Sequence, residues 1–210
     1  MQHISISQGN RKMGSIPSVS MPPDLTCNPF LACYKDRCYA KRMMQRRDVV
    51  GRAWRNNLHE FKKDPLFFEK YISGYLEKEK PERFRWHVGG EIPSVDSLVY
   101  FDIINNIAKK YPNTKFLIFT KMYNLVDHFK THPDNLSIII SLWPNENFIV
   151  QSEINNKWKT IRDIRNYKIA WLSDDNRVKT EAFNPFECKN NCTWCGMCWT
   201  NKRDIVFKRH

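Results

Sequence analysis

Lys115-Phe-Leu-Ile-Phe-Thr-Lys-Met-Tyr-Asn-Leu-Val-Asp-His-Phe-Lys-Thr-His-Pro-Asp-Asn-Leu-Ser-Ile-Ile-Ile-Ser-Leu142 decides the fold class. It opens with a short apolar run, Lys115–Thr120, and ends with another, Leu136–Leu142. Both have strand length and no polar alternation, which is the signature of strands buried on both faces. The residues between them, Tyr123–Thr131, read as a short helix. Strand, helix and strand in succession predict a parallel βα unit.

The same alternation extends outward. Arg83–Val88 reads as a strand that runs into Gly89-Gly90-Glu91, and a helix capped by Ser94 reaches about Lys110. Lys168–Leu172 and Asp204–Lys208 are further strands, and His3–Ser7 a first one. Ala40 to about Lys63 is a single basic helical pattern, and residues 66–79 a second helix with Phe67, Phe68, Tyr71, Ile72 and Tyr75 turned to the core. Residues 144–166 are polar and irregular. About six parallel strands in 210 residues fall short of the roughly 250 of a full eight-stranded barrel. The expected fold is α/β: a partial βα barrel over residues 1–180, with a cysteine-rich C-terminal segment over 181–210. Ligands of such sheets sit at the C-terminal ends of the strands. Cys27, Gly89–Glu91, Lys121, Ser141 and Ser173–Asp175 all follow strand candidates and should share one rim.

The cysteines fall in two groups. Cys27, Cys33 and Cys38 lie within twelve residues, in Thr26-Cys-Asn-Pro-Phe-Leu-Ala-Cys-Tyr-Lys-Asp-Arg-Cys-Tyr-Ala40; Cys188, Cys192, Cys195 and Cys198 lie near the other end. The apolar pattern contains no membrane-spanning run and no signal-peptide core, so a cytoplasmic protein is expected, with thiols serving as metal ligands rather than disulfides. Four thiols spaced x3, x2, x2 resemble loops that wrap one [4Fe–4S] cubane, with structural zinc as the alternative. Three thiols leave one iron of a cubane open for a ligand, unless a residue such as His87 supplies a fourth. Cys38 starts a predicted helix, whose amide N–H groups favour thiolate. Trp194 and Trp199 are placed to shield the second group from water.

Formal charge is +12. Seven thiolates on two cubane cores of charge about +2 each change this by about −3, leaving about +9. A basic surface suits a nucleic acid, a nucleotide or another anion, as does the Arg-rich helix with Arg42 and Arg46 on one face. A solvated basic surface is the plain alternative.

Three clustered cysteines, Gly-Gly-Glu91 after a strand and a polar residue ending a later strand resemble the radical S-adenosylmethionine (SAM) superfamily. Gly-Asn-Arg-Lys-Met-Gly14, Pro-Pro-Asp-Leu-Thr-Cys27 and Cys-Tyr-Ala40 resemble, more closely, a phage-borne family of gene-product-eighty-eight-like proteins. A related phage family shares Cys-Tyr-Ala40, Gly-Gly-Glu91 and a strand ending in Thr120-Lys121. The resemblance covers most of the chain. It implies a [4Fe–4S] cluster on Cys27, Cys33 and Cys38, with SAM on the open iron. Gly89, Gly90 and Glu91 would receive the methionine amino group, and Lys121 and Ser141 the carboxylate or ribose. Cys188, Cys192, Cys195 and Cys198 would hold an auxiliary cluster or zinc. An electron donor of flavodoxin or ferredoxin type and no membrane contact are implied too. The first group departs from the superfamily's commonest spacing, Cys-x3-Cys-x2-Cys, with x5 and x4 here. The competing readings are a non-catalytic iron–sulfur or zinc protein of a phage or mobile element that binds nucleic acid, and a metal-stapled structural protein.

Overall fold

The computed structural model describes residues 3–35, 38–144, 150–151, 158–159, 167–200 and 203–208. Eight strands form one sheet. In chain order they are β1 (Ile6–Ser7), β2 (Ser18–Val19), β3 (Arg83–Trp86), β4 (Lys115–Thr120), β5 (Leu136–Ser141), β8 (Lys168–Leu172), β9 (Phe186–Glu187) and β10 (Ile205–Phe207). The spatial order is β1-β2-β3-β4-β5-β8-β10-β9, with every pair parallel except β1–β2. β6 (Val150–Gln151) and β7 (Trp158–Lys159) form a separate antiparallel pair. The rest of the stretch expected to be irregular, residues 144–166, lies largely outside the described residues.

All six strands expected from sequence are present, with two corrections. The first, β1, is antiparallel to its neighbour, and the parallel series starts one strand later, at β2. β2 is two residues in a Ser- and Pro-rich loop, too short to carry a period. It is recruited by β3, whose Arg85 and His87 N–H groups donate to the Pro17 and Val19 carbonyls. β9 and β10, both from the cysteine-rich segment, are strands of this same sheet, and β10 lies between β8 and β9.

The helices are α1 (Pro23–Thr26), α2 (Ala32–Lys35), α3 (Tyr39–Arg46), α4 (Asp48–Lys63), α5 (Pro65–Glu79), α6 (Ser97–Lys110), α7 (Val178–Glu181), α8 (Cys192–Cys195) and α9 (Met197–Thr200). The single helix expected from Ala40 to Lys63 is two. Arg47 is extended (φ −138°, ψ 91°), closing α3 with its N–H on the Met43 carbonyl and starting α4. Asp64 caps α5 by accepting the Phe67 N–H, with Pro65 at the first helical position. α6 begins after Asp96, not at Ser94; Asp96 itself is left-handed at φ 59°. Tyr123–Leu125 and His128–Lys130 are 3₁₀ turns rather than one α-helix. They still bury Leu125, Val126 and Phe129 in the core, which is what the apolar spacing there reported.

The sheet has two packed faces. On one, Phe84, Trp86, Phe116, Ile118, Ile138 and Ile140 meet α4, α5 and α6. Phe68 and Ile72 are fully buried there, while Phe67, Tyr71 and Tyr75 pack around them. The other face carries Leu117, Ile139, Ala170 and Ile205, covered by Met13 and Ile16 of the N-terminal loop and Trp199 of α9. Among the described residues no helix is long and apolar enough to cross a membrane.

Asp204 secures the last strands. Its buried carboxylate accepts the Ile169 N–H, the Trp171 indole N–H and the Phe183 N–H, each at 2.9 Å. Substituting Asp204→Ala orphans two buried donors and one part-buried donor, and we expect a loss on the order of 3 kcal/mol in urea unfolding.

Candidate functional site

The C-terminal ends of the strands form one laced rim. After β2, Ser20 Oγ accepts the N–H groups of Val88 and Gly89, and the Met21 N–H donates to the Gly89 carbonyl. Asn57 of α4 holds this corner from below, donating to the Ser5 and Ser20 carbonyls and accepting the Ser5 N–H. Thr26, one residue before Cys27, accepts the Glu91 N–H at 3.0 Å. Glu91 reaches on to β4. Its Oε1 accepts the Ile92 N–H and the Thr120 hydroxyl, and its Oε2 the Lys121 N–H at 2.6 Å. The Lys121 ammonium and the Tyr123 hydroxyl both donate to the Ser141 carbonyl at the end of β5. Past β8, the Ser173 N–H donates to the Phe207 carbonyl, and Arg177 pairs with Asp175 and donates to the Trp143 carbonyl. The residues expected on one rim are therefore brought together there.

The glycines of Gly-Gly-Glu91 have packing reasons. A Cβ on Gly89 would stand 2.3 Å from the Trp54 ring of α4, and one on Gly90, at φ 79°, 2.2 Å from the Met21 carbonyl. A side chain at either position would collide with the protein's own atoms.

Cys27 ends α1, Cys33 lies in α2 and Cys38 is the residue before α3, as its expected place at a helix start required. All three are half-buried. Burial first, and then the negative charges of Glu91, Cys38 and Cys33, push the Cys27 thiol well above its ordinary range. The charges of Glu91, Cys38 and Cys33 thus all reach Cys27. Glu91 is itself pushed up to about 7 by burial, against the pull of its three donors. His87, the alternative fourth ligand, is buried and left-handed (φ 56°), with Nε2 at 2.9 Å from the Tyr100 hydroxyl. Burial and the charge of Arg85 lower it to about 3, so it stays neutral.

The second thiol group lies on the sheet face opposite the long helices. Cys188, Cys192, Cys195 and Cys198 line one small cavity with Trp199 and Phe186. Cys198 is pushed up to about 12 by burial and then by Cys188 and Cys192. Its carbonyl accepts Ser137 Oγ at 2.7 Å and Lys168 Nζ at 2.9 Å. Arg83 donates to the Cys192 and Thr193 carbonyls. Trp199 shields this group and is 5% exposed, but Trp194 does not: it is 86% exposed. α8 is a single turn whose Thr193 packs on Gly14 and Met13, which turns Trp194 outward. Among the described residues no group of three or more His, Cys, Asp or Glu side chains is arranged to hold a metal ion as it stands.

Sequence reasoning overlooked Thr26, Tyr100, Thr120 and Arg85. Arg85 acts electrostatically on His87 at the rim and on Cys192 and Cys198 across the sheet, and its Nε is buried without a hydrogen-bond partner. The alternation Arg83-Phe-Arg-Trp86 was its signal, since it places two cations on one sheet face.

Two buried groups of the rim, Glu91 and His87, contribute to the pH response. Glu91 holds its proton more tightly folded than unfolded, so its contribution to stability is full below about pH 4.5 and lost as pH rises through about 7. His87 contributes fully above about 6.5 and loses that contribution as pH falls through about 3. The two slopes oppose each other where they overlap. In denaturant unfolding of the metal-free chain, we expect the stability of wild type minus that of Glu91→Gln to fall as pH rises from 4.5 to about 7. A flat difference would show that Glu91 titrates normally.

No curated protein and no solved structure matches the chain. The sequence model of one family, described as gene product 88, matches residues 4–201. That span runs from two residues before β1 through α9 and includes both thiol groups and the rim from Ser20 to Arg177, so the chain belongs to the gene product 88 family.

Proposed function

We propose that the chain is an iron–sulfur enzyme of radical-SAM type. In this reading Cys27, Cys33 and Cys38 ligate a [4Fe–4S] cluster with one open iron, and Cys188, Cys192, Cys195 and Cys198 ligate a second. The observation that carries it is the place of Cys27 on the C-terminal rim of a parallel sheet, directly after Thr26, which accepts the Glu91 N–H, with Cys33 and Cys38 on the short helical stretch that follows.

The donor set fits the group. Thiolates are soft ligands that suit an iron–sulfur core, and Cys27, disfavoured as an anion by burial and by the charges around it, gains from a cationic one. His87 directs Nε2 to Tyr100, while its Nδ1 is buried without a hydrogen-bond partner, so in the three-ligand reading His87 stays outside the cluster. When bound, such a cluster supplies the electron that cleaves SAM into methionine and a 5′-deoxyadenosyl radical. The chain's own residues would bind and orient. A carboxylate offers about four acceptor positions, and Glu91 uses three, two on Oε1 and one on Oε2. The fourth, on Oε2, suits the methionine ammonium. Lys121 and Ser141 stand next along the rim, in line for the cofactor's carboxylate or ribose. The sheet would then be a partial βα barrel, with residues 181–210 as its auxiliary-cluster segment. A phage-encoded, cytoplasmic enzyme supplied by a flavodoxin- or ferredoxin-type donor fits this reading.

Anaerobic purification and reconstitution test it. We expect about eight irons per chain, falling by about half in Cys27→Ala and in Cys192→Ala. The reduced protein should change its EPR signal on addition of SAM and release 5′-deoxyadenosine, and Cys27→Ala should abolish both. A fully loaded protein whose signal ignores SAM would overturn the assignment, and zinc in place of iron would overturn the cluster chemistry.

A further inference from the structure

α3 and α4 present a face that neither thiol group uses. A groove of about 490 Å³ runs between them and α1, lined by Lys41, Arg52 and Arg55 together with Asp24 and Asp48. Arg55 pairs with Asp24. Arg42, Arg46 and Arg47 are exposed on the same two helices and their junction, and among the described residues neither they nor Arg52 form an ion pair. The groove adjoins the thiol stretch, because α1 leads into Cys27 and α3 starts after Cys38.

That stretch interleaves rings with cations. Phe30 is 80% exposed with the Lys35 ammonium 5.7 Å from its ring centre, Tyr34 has Lys41 at 4.6 Å, and Tyr39 is exposed as well. An acidic peptide would use the cations but has no need of open aromatic faces. A single-stranded nucleic acid needs both: phosphates seek Lys and Arg, and unpaired bases stack on rings. We propose that this face binds single-stranded nucleic acid, with phosphates along Lys41, Arg42, Arg46 and Arg52 and bases on Phe30 and Tyr39. Its strand end would lie beside Cys27 and Cys38. This goes beyond the iron–sulfur reading and does not depend on it.

Fluorescence anisotropy of the 210-residue chain as purified, with a labelled single-stranded DNA of mixed sequence, tests the face between about 50 and 200 mM salt. Binding in the micromolar range is expected. The triple variant Arg42→Gln/Arg46→Gln/Arg52→Gln should weaken it at least about tenfold and reduce the slope of log K against log salt by about 2. Phe30→Ala should weaken single-strand binding about fivefold or more and leave duplex binding unchanged. Circular dichroism checks that these exposed substitutions leave the fold intact. No binding at the lowest salt, an unchanged slope in the triple variant, or equal losses on single strand and duplex in Phe30→Ala would each overturn the assignment. Tighter binding to polyglutamate or to phosphatidylserine vesicles would overturn it in favour of an acidic protein or a membrane surface. Iron content and 5′-deoxyadenosine release are separate readouts, so failure of the cluster reading is distinguishable from failure here.

Discussion

A buried carboxylate is costly unless donors surround it, and the rim of this protein is built on one. Glu91 is 7% exposed and draws its three donors from its own loop and from the end of β4. Its backbone N–H goes to Thr26, which fixes the residue before Cys27. One residue, through its side chain and its backbone N–H, therefore sets the spacing of three loops that follow three different strands. Cys27, next to Thr26, inherits its electrostatics from that arrangement, since burial and then the Glu91 charge act on its thiol.

The glycines before Glu91 serve the same end. Gly89 lets Trp54 of α4 come against the loop, and Gly90 turns the chain under Met21. A helix interior is thereby keyed to the rim, and Asn57, one turn further along α4, ties that helix to β1 and β2. The α3–α4 pair hangs from this anchor with its apolar residues, Trp54, Leu58 and Phe61, turned inward. Its arginines Arg42, Arg46, Arg47, Arg52 and Arg55 are left to solvent.

The C-terminal thiols do a second structural job. The segment that carries them crosses the sheet face left bare by the long helices and seals it with Trp199. Carbonyls of Cys192, Thr193 and Cys198 receive donors from Arg83, Ser137 and Lys168, which come from three strands. The two thiol groups thus occupy different parts of one sheet, with Arg85 exerting its charge on the groups around both.

The sequence by itself determined the α/β class, six strands and the membership of the rim. Buried parallel strands read as continuous apolar runs, and polar residues that follow them collect at one edge whatever the loops do. It also marked Cys38 as a helix start. Only the tertiary structure decided the rest. β2 and β9 are two residues each and exist because a neighbour offers a ladder. The break at Arg47 and the 3₁₀ turns at 123–130 break no rule of composition; they follow from where the sheet puts the ends of these segments. The outward turn of Trp194 and the roles of Gly89 and Gly90 depend on atoms far away in the chain, Thr193 on Gly14 and Trp54 on Gly89. Local pattern reports which face of a segment is apolar; it carries no information on which distant atom will fill the space beside it.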